Sequence, residues 1–110
     1  MSTKKGKNRM KLTPRKISES EIKHQVKQYL DLKGWFNFHL IAGMGSYPGL
    51  VDRIAVKGGR TLYLEIKKPI GGKQGENQKL FQENIEKAGE EYFIIRNLED
   101  LIEGLEGGEK

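Results

Sequence analysis

The chain contains no cysteine, which excludes disulfides, zinc-thiolate centres and cysteine nucleophiles together. Histidine is nearly as scarce. His24 lies among polar neighbours on a predicted helix and His39 ends a predicted strand, so both read as structural or surface residues and a histidine-rich metal site lacks ligands. Any metal ion must be held by oxygen. No apolar run approaches the ~20 residues of a membrane helix, and the N-terminus lacks the apolar core of a secretory signal. The sequence therefore predicts a cytoplasmic chain without a membrane partner.

Acid is missing from one place in particular. Residues 1–16 hold Lys4, Lys5, Lys7, Arg9, Lys11, Arg15 and Lys16 with no Asp or Glu, a charge of +7. The remainder has thirteen basic and fifteen acidic residues, a charge of −2. A basic, apolar-poor stretch of this kind reads as a flexible arm that suits a polyanion, because each neutralised phosphate releases counterions. A merely solubilising arm is the alternative.

With 110 residues, 35% hydrophobic and 32% charged, the chain has length for one modest core and no second domain. We divide it into the basic tail, 1–16, and a folded domain, 17–106. From Ile17 the apolar positions Ile22, Val26, Tyr29 and Leu30 recur at helical spacing, with Ser18 as cap and Gly34 as stop. Glu19 falls on the same stripe, where an acid is out of place. "WFNFHLI", residues 35–41, reads as a strand, and "AGMGSYPG", residues 42–49, as a loop whose glycines let backbone approach a ligand. A hairpin follows, then the basic loop "KPIGGKQGEN". A helix over 76–88 has the apolar face Leu80, Phe81, Ile85 and Ala88. The strand "EYFIIR" and a short helix capped by Asn97 complete the order α-β-β-β-α-β-α, a small mixed α/β sheet flanked by helices.

The hairpin carries the chemistry. In "VDRIAVKGGRTLYLEIKKP" the pair Gly58-Gly59 supplies positive φ for a two-residue turn, so the flanking strands run antiparallel and bring Asp52 beside Glu65. Acids are disfavoured in strands. Two carboxylates together on apolar strands repel and are costly to desolvate unless something positive lies between them. Lys67, two residues after Glu65, projects to the same face. A divalent cation such as Mg²⁺, which prefers hard oxygen ligands, is the other partner the pattern admits.

A leading helix with an acid, a hairpin with D…E-x-K and a following helix with Gln resemble the PD-(D/E)XK nuclease superfamily. The likeness is to its VRR-NUC branch, the virus-type replication and repair nucleases, and it spans Glu19 to about Leu105. The matching residues are Glu19 in "ESEI", Asp52 in "PGLVD", Glu65 and Lys67 in "LEIKKP" and Gln78 in "ENQKLF", followed by "KAGEEYFII". D…E-x-K alone recurs by chance; the Gln, the Gly-rich loops and the element order make the pattern specific. One departure is that Val51, not proline, precedes Asp52.

The resemblance implies a restriction-endonuclease-like fold and a Mg²⁺- or Mn²⁺-dependent DNA endonuclease of an intracellular, phage-encoded kind. In it, Asp52, Glu65 and the Ile66 carbonyl hold the metal. Lys67 orients or deprotonates the attacking water, or steadies charge on the phosphate. Glu19 stands at the edge of the site, with Glu21 the substitute if the helix phase slips, and Gln78 orients Lys67 or the phosphate. Lys4, Lys5, Lys7, Arg9, Arg53, Lys68 and Lys73 are the expected DNA contacts. Stand-alone members of the branch look like four-way-junction resolvases acting as homodimers, for which Trp35, Phe36 and Tyr92 would be the spare apolar surface. Nicking or flap-processing nucleases, and a non-catalytic DNA-binding module, are the competing expectations.

Overall fold

The computed structural model describes residues 17–43 and 45–107, so Lys4, Lys5, Lys7 and Arg9 lie outside the described residues. Helix α1, Glu19–Leu32, begins at a capping box: the Ser18 hydroxyl accepts from the Glu21 amide at 3.1 Å while the Ser18 amide donates to Glu21 Oε1 at 2.8 Å. Glu21 is thereby committed to the helix start. Ile22, Val26 and Leu30, four residues apart, make one buried stripe on α1.

Strand β1 is Phe36–His39, β2 Arg53–Lys57 and β3 Arg60–Ile66. Helix α2 is Glu76–Lys87, β4 Glu91–Ile95 and α3 Leu98–Gly107. The sheet runs β1-β2-β3-β4, antiparallel except for the parallel β3/β4 pair, for which α2 is the crossover. Gly58 and Gly59 turn the β2–β3 hairpin with φ of 58° and 79°, the sign a primed two-residue turn needs. This pins the register, with Lys57 opposite Arg60 and Arg53 opposite Leu64. The result is a small α/β domain with a four-stranded mixed sheet and three helices, in the predicted order.

One face of the sheet holds the main core: Ala55, Leu62, Leu64, Ile66 and Ile95 meet Ile22, Val26 and Leu30 of α1 and Leu101 and Leu105 of α3. Each fully buried Val, Leu or Ile there contributes about 1.5–3 kcal/mol. The alternate residues of β3 point to the other face, where Phe81 of α2 packs its ring near Tyr63 and Tyr92. Asp52 leads into β2 and Glu65 lies near the end of β3.

Two expectations about the elements are corrected. The first strand is shorter than 35–41, because the Trp35 amide closes the end of α1 on the Leu30 carbonyl and the chain past His39 turns into the glycine loop. On α2, Leu80 is 56% exposed and Ala88 caps the helix in solvent. The inward face is instead Gln78, Phe81, Gln82 and Ile85, whose two amides have polar partners, Gln78 on Glu65 of β3 and Gln82 on Gln74 of the loop before α2. Of Trp35, Phe36 and Tyr92, expected as spare apolar surface, two are drawn inward. Tyr92 is only 7% exposed and Trp35 packs against the core, whereas Phe36 is 69% exposed on edge strand β1.

Candidate active site

Register builds the site. The Asp52 amide donates to the Leu64 carbonyl at 3.1 Å, extending the ladder one step past the Arg53–Leu64 pair, so Asp52 stands across from Glu65. Asp52 Oδ2 accepts from the Ile66 amide at 2.7 Å. That bond fixes the carboxylate at the end of the two strands and leaves Oδ1 directed at Lys23 of α1, 3.6 Å away. Lys23 also pairs with Glu19, one turn earlier, at 3.4 Å. Glu19 is thus joined to Asp52 through an ammonium group.

Glu65 is 1% exposed, a position where an ionised carboxylate is costly. Its Oε2 is fully engaged: Lys67 Nζ lies at 3.1 Å and Gln78 Nε2 donates to it. Gln78 Oε1 in turn accepts from Lys67 Nζ at 3.1 Å and from the Gly75 amide at the start of α2 at 2.8 Å. One glutamine side chain therefore ties helix, acid and lysine together. The other oxygen, Oε1, is buried and meets no donor. Burial, and then the negative charge of Asp52, push the Glu65 carboxyl up to about 7, with Lys67 acting in the opposite sense.

Behind this group, Gln74 Nε2 donates to the Tyr92 hydroxyl at 3.1 Å and to Gln82 Oε1 at 2.9 Å. Burial, followed by the Glu65 charge, pushes the Tyr92 phenol up to about 12. Arg96 donates to the Gly72 carbonyl at 2.7 Å and to the Lys68 carbonyl at 3.2 Å, which fixes the basic loop that leads from Lys67 to α2. The glycine loop on the other flank approaches α2 as closely as backbone allows: a Cβ on Gly49, which has φ +80°, would lie 2.2 Å from the Asn77 carbonyl oxygen.

The structure brings Asp52, Glu65, Lys67, Gln78 and the Ile66 backbone together, with Glu19 reaching the group through Lys23. Lys68 and Lys73 are exposed on the flanking loop. Arg53 is placed differently from a surface phosphate contact: it is 9% exposed and donates to Asn37 Oδ1 at 2.6 Å, and burial lowers its pKa. Asn37 passes that contact on to Asp31 at 2.8 Å, so Arg53 helps seat α1 on the sheet. Lys23, Gln74 and Gln82 were missed by sequence reasoning. Lys23 had a signal, its position four residues after Glu19.

Among the described residues no group of three or more His, Cys, Asp or Glu side chains is gathered as a metal cage. The donor set fits a hard cation nonetheless: a buried carboxylate oxygen without a donor, a second carboxylate across the ladder, and no sulfur or imidazole between them. Among the described residues no helix is long and apolar enough to cross a membrane. No protein-family model matches the chain, and no curated protein matches its sequence.

Proposed function

We propose that this domain is a divalent-cation-dependent DNA endonuclease with a restriction-endonuclease-like fold of the VRR-NUC kind, working in the cytoplasm. The observation that carries the reading is the state of Glu65: a buried carboxylate faces Asp52, has one oxygen held by Lys67 and Gln78, and has the other without a donor. A structural ion pair would satisfy both oxygens. A site built to take a cation would leave one oxygen without a donor.

Asp52, Glu65 and the Ile66 carbonyl are the residues that would hold Mg²⁺ or Mn²⁺. The bound cation supplies positive charge against the phosphate and acidity to an attacking water. Lys67 is kept in place by Glu65 and Gln78, so its ammonium can donate to a non-bridging phosphate oxygen as charge develops there, or orient the water. Gln78 holds that lysine against a helix start, a rigid mount. The Gly49 loop and the basic loop with Lys68 and Lys73 flank the two acids, and the basic tail with Lys4, Lys5, Lys7 and Arg9 adds sequence-independent attraction to DNA.

Branched DNA, a four-way junction in particular, is the substrate we assign. A single chain has one such site and a junction has two strands to cut, so the working form is a C₂ homodimer. The deciding experiment compares a synthetic four-way junction with its own arms as linear duplex, with and without Mg²⁺. Mg²⁺-dependent cleavage of the junction, lost in Glu65→Ala, is expected. Equal activity in wild type and Glu65→Ala would sink the nuclease reading, and cleavage by a strict monomer in sedimentation would favour a nicking or flap-processing enzyme.

A further inference from the structure

On the α1 side of Asp52 there is a recess that shares Asp52 and Ile66 with the candidate site and whose other lining residues the cleavage chemistry leaves unused. Its volume is about 170 Å³ and it is lined by Lys23, His39, Leu40, Asp52, Arg53 and Ile66. It is smaller than the ~300 Å³ at which pockets for drug-sized ligands begin. It has room for a phosphate group and not for a nucleoside. Three of its six lining residues are basic, and its one acid, Asp52, already has Oδ2 on the Ile66 amide and Oδ1 facing Lys23.

The walls are set by the fold. Leu40 is fixed by its amide on the Asp52 carbonyl at 2.8 Å, and His39 opposes Arg53 in the β1/β2 ladder. Arg53 is held by Asn37, so its charge stays at the back of the recess. Lys23 and His39 are exposed at its mouth. Lys23 is shared between Glu19 and Asp52 at 3.4 and 3.6 Å, distances of ion pairs and not of tight hydrogen bonds, so its ammonium can turn to a further acceptor at little cost.

We propose that this recess is a backbone-phosphate subsite for the strand being cut, with Lys23 and His39 as its donors and Arg53 as fixed background charge. The assignment rests on the nuclease reading and adds to it a path for the strand: from the Asp52–Glu65 pair outward over the β1 and α1 edge, opposite to the basic loop of Lys68 and Lys73. A phosphate seated there has a non-bridging oxygen for the Lys23 ammonium and another for the His39 ring N–H. It fixes the register of the strand and reads no base.

The test measures binding, not cleavage. The full chain carrying Glu65→Gln, without added divalent cation, is titrated with one fluorescent junction over a series of salt concentrations. Glu65→Gln is then combined in turn with Lys23→Gln, with His39→Ala, and with Lys87→Gln, a charge-matched change at the far end of α2. One phosphate contact corresponds to about 0.9 in the slope of log K against log salt on duplex. Lys23→Gln should lower the slope by about that amount, and His39→Ala should weaken binding severalfold at fixed salt. An unchanged slope in Lys23→Gln, an unchanged affinity in His39→Ala, or an equal loss of slope in Lys87→Gln would overturn the subsite. Absence of DNA binding by the parent would overturn the nuclease reading itself, and the subsite with it.

Discussion

Lys67 Nζ lies 3.1 Å from Glu65 Oε2, while the other oxygen of the same buried carboxylate meets no donor. Lys67 comes two residues after Glu65 on one face, so the strand's own period delivers the pairing. It satisfies half of the acid. What remains is a desolvated oxygen opposite Asp52, and its cost falls on the folded state until a proton or a cation arrives.

The proton gives the first prediction. The Glu65 carboxyl is raised from 4.5 to about 7 in the folded chain, so between those values the folded state binds more protons than the unfolded one. Stability of the metal-free protein should therefore fall as pH rises through that window, by on the order of 3 kcal/mol at ~1.4 kcal/mol per pKa unit. Urea unfolding at pH 4.5 and pH 8 in chelator measures it. Glu65→Gln should remove this component, and an identical pH dependence in the two proteins would show that Glu65 does not carry it.

The cation gives the second. Above pH 7, Mg²⁺ or Mn²⁺ should stabilise the wild-type chain, because it binds the folded site and not the unfolded chain. At ten times its dissociation constant a ligand adds ~1.4 kcal/mol, roughly 5–10 °C in Tm for a domain of this size. Chelator should reverse the shift. Asp52→Asn and Glu65→Gln should each lose most of it; a shift of equal size in both variants would place the cation elsewhere.

Gly49 supports the third. It has φ +80°, and a Cβ there would sit 2.2 Å from the Asn77 carbonyl oxygen and 2.8 Å from the Gln78 amide. Gly49→Ala should cost about 2 kcal/mol or more and move the start of α2, which carries Gln78. Gly45→Ala is the control, since Gly45 has φ +91° with nothing within 4 Å of the added carbon and bears only the backbone strain. Equal losses in the two, by thermal or urea unfolding, would mean that the approach of loop to helix contributes nothing.

The hairpin and its consequence were open to sequence reading because they depend on local rules. Two glycines fix the turn, the turn fixes the register, and period two places Asp52, Glu65 and Lys67 in relation to one another. The start of α1 was legible for the same reason, Ser18 and Glu21 being one turn apart. Lys23 beside Asp52 was not, because that contact depends on how α1 lies across the sheet, a packing angle no single segment encodes. Helix α2 misled in a different way. Periodicity assigned Leu80 to the interior, yet the helix turns Gln78 and Gln82 inward, where Gln78 donates to the buried Glu65 and Gln82 accepts from the Gln74 amide that also donates to Tyr92. Of the three residues expected as spare apolar surface, Phe36 stays exposed because β1 is an edge strand, while Tyr92 is covered because β4 lies beneath α2.

Gln78 carries the last prediction. Its amide nitrogen donates to Glu65 and its oxygen accepts from both Lys67 and the Gly75 amide, so Gln78→Ala removes three contacts at once. If the residue were only a helix cap, the loss would be about 0.5–2 kcal/mol of stability with catalysis untouched at temperatures where the protein is folded. If it positions Lys67 and Glu65, kcat on a junction should fall about 10- to 100-fold at saturating Mg²⁺, the usual effect of losing a residue that orients metal ligands. The carboxyl resonance of Glu65 offers a readout independent of turnover. Removing the amide donor takes away a bond to the ionised form, so the Glu65 pKa in the metal-free variant should rise above its wild-type value. Unchanged cleavage together with an unchanged Glu65 titration would reduce Gln78 to the start of a helix.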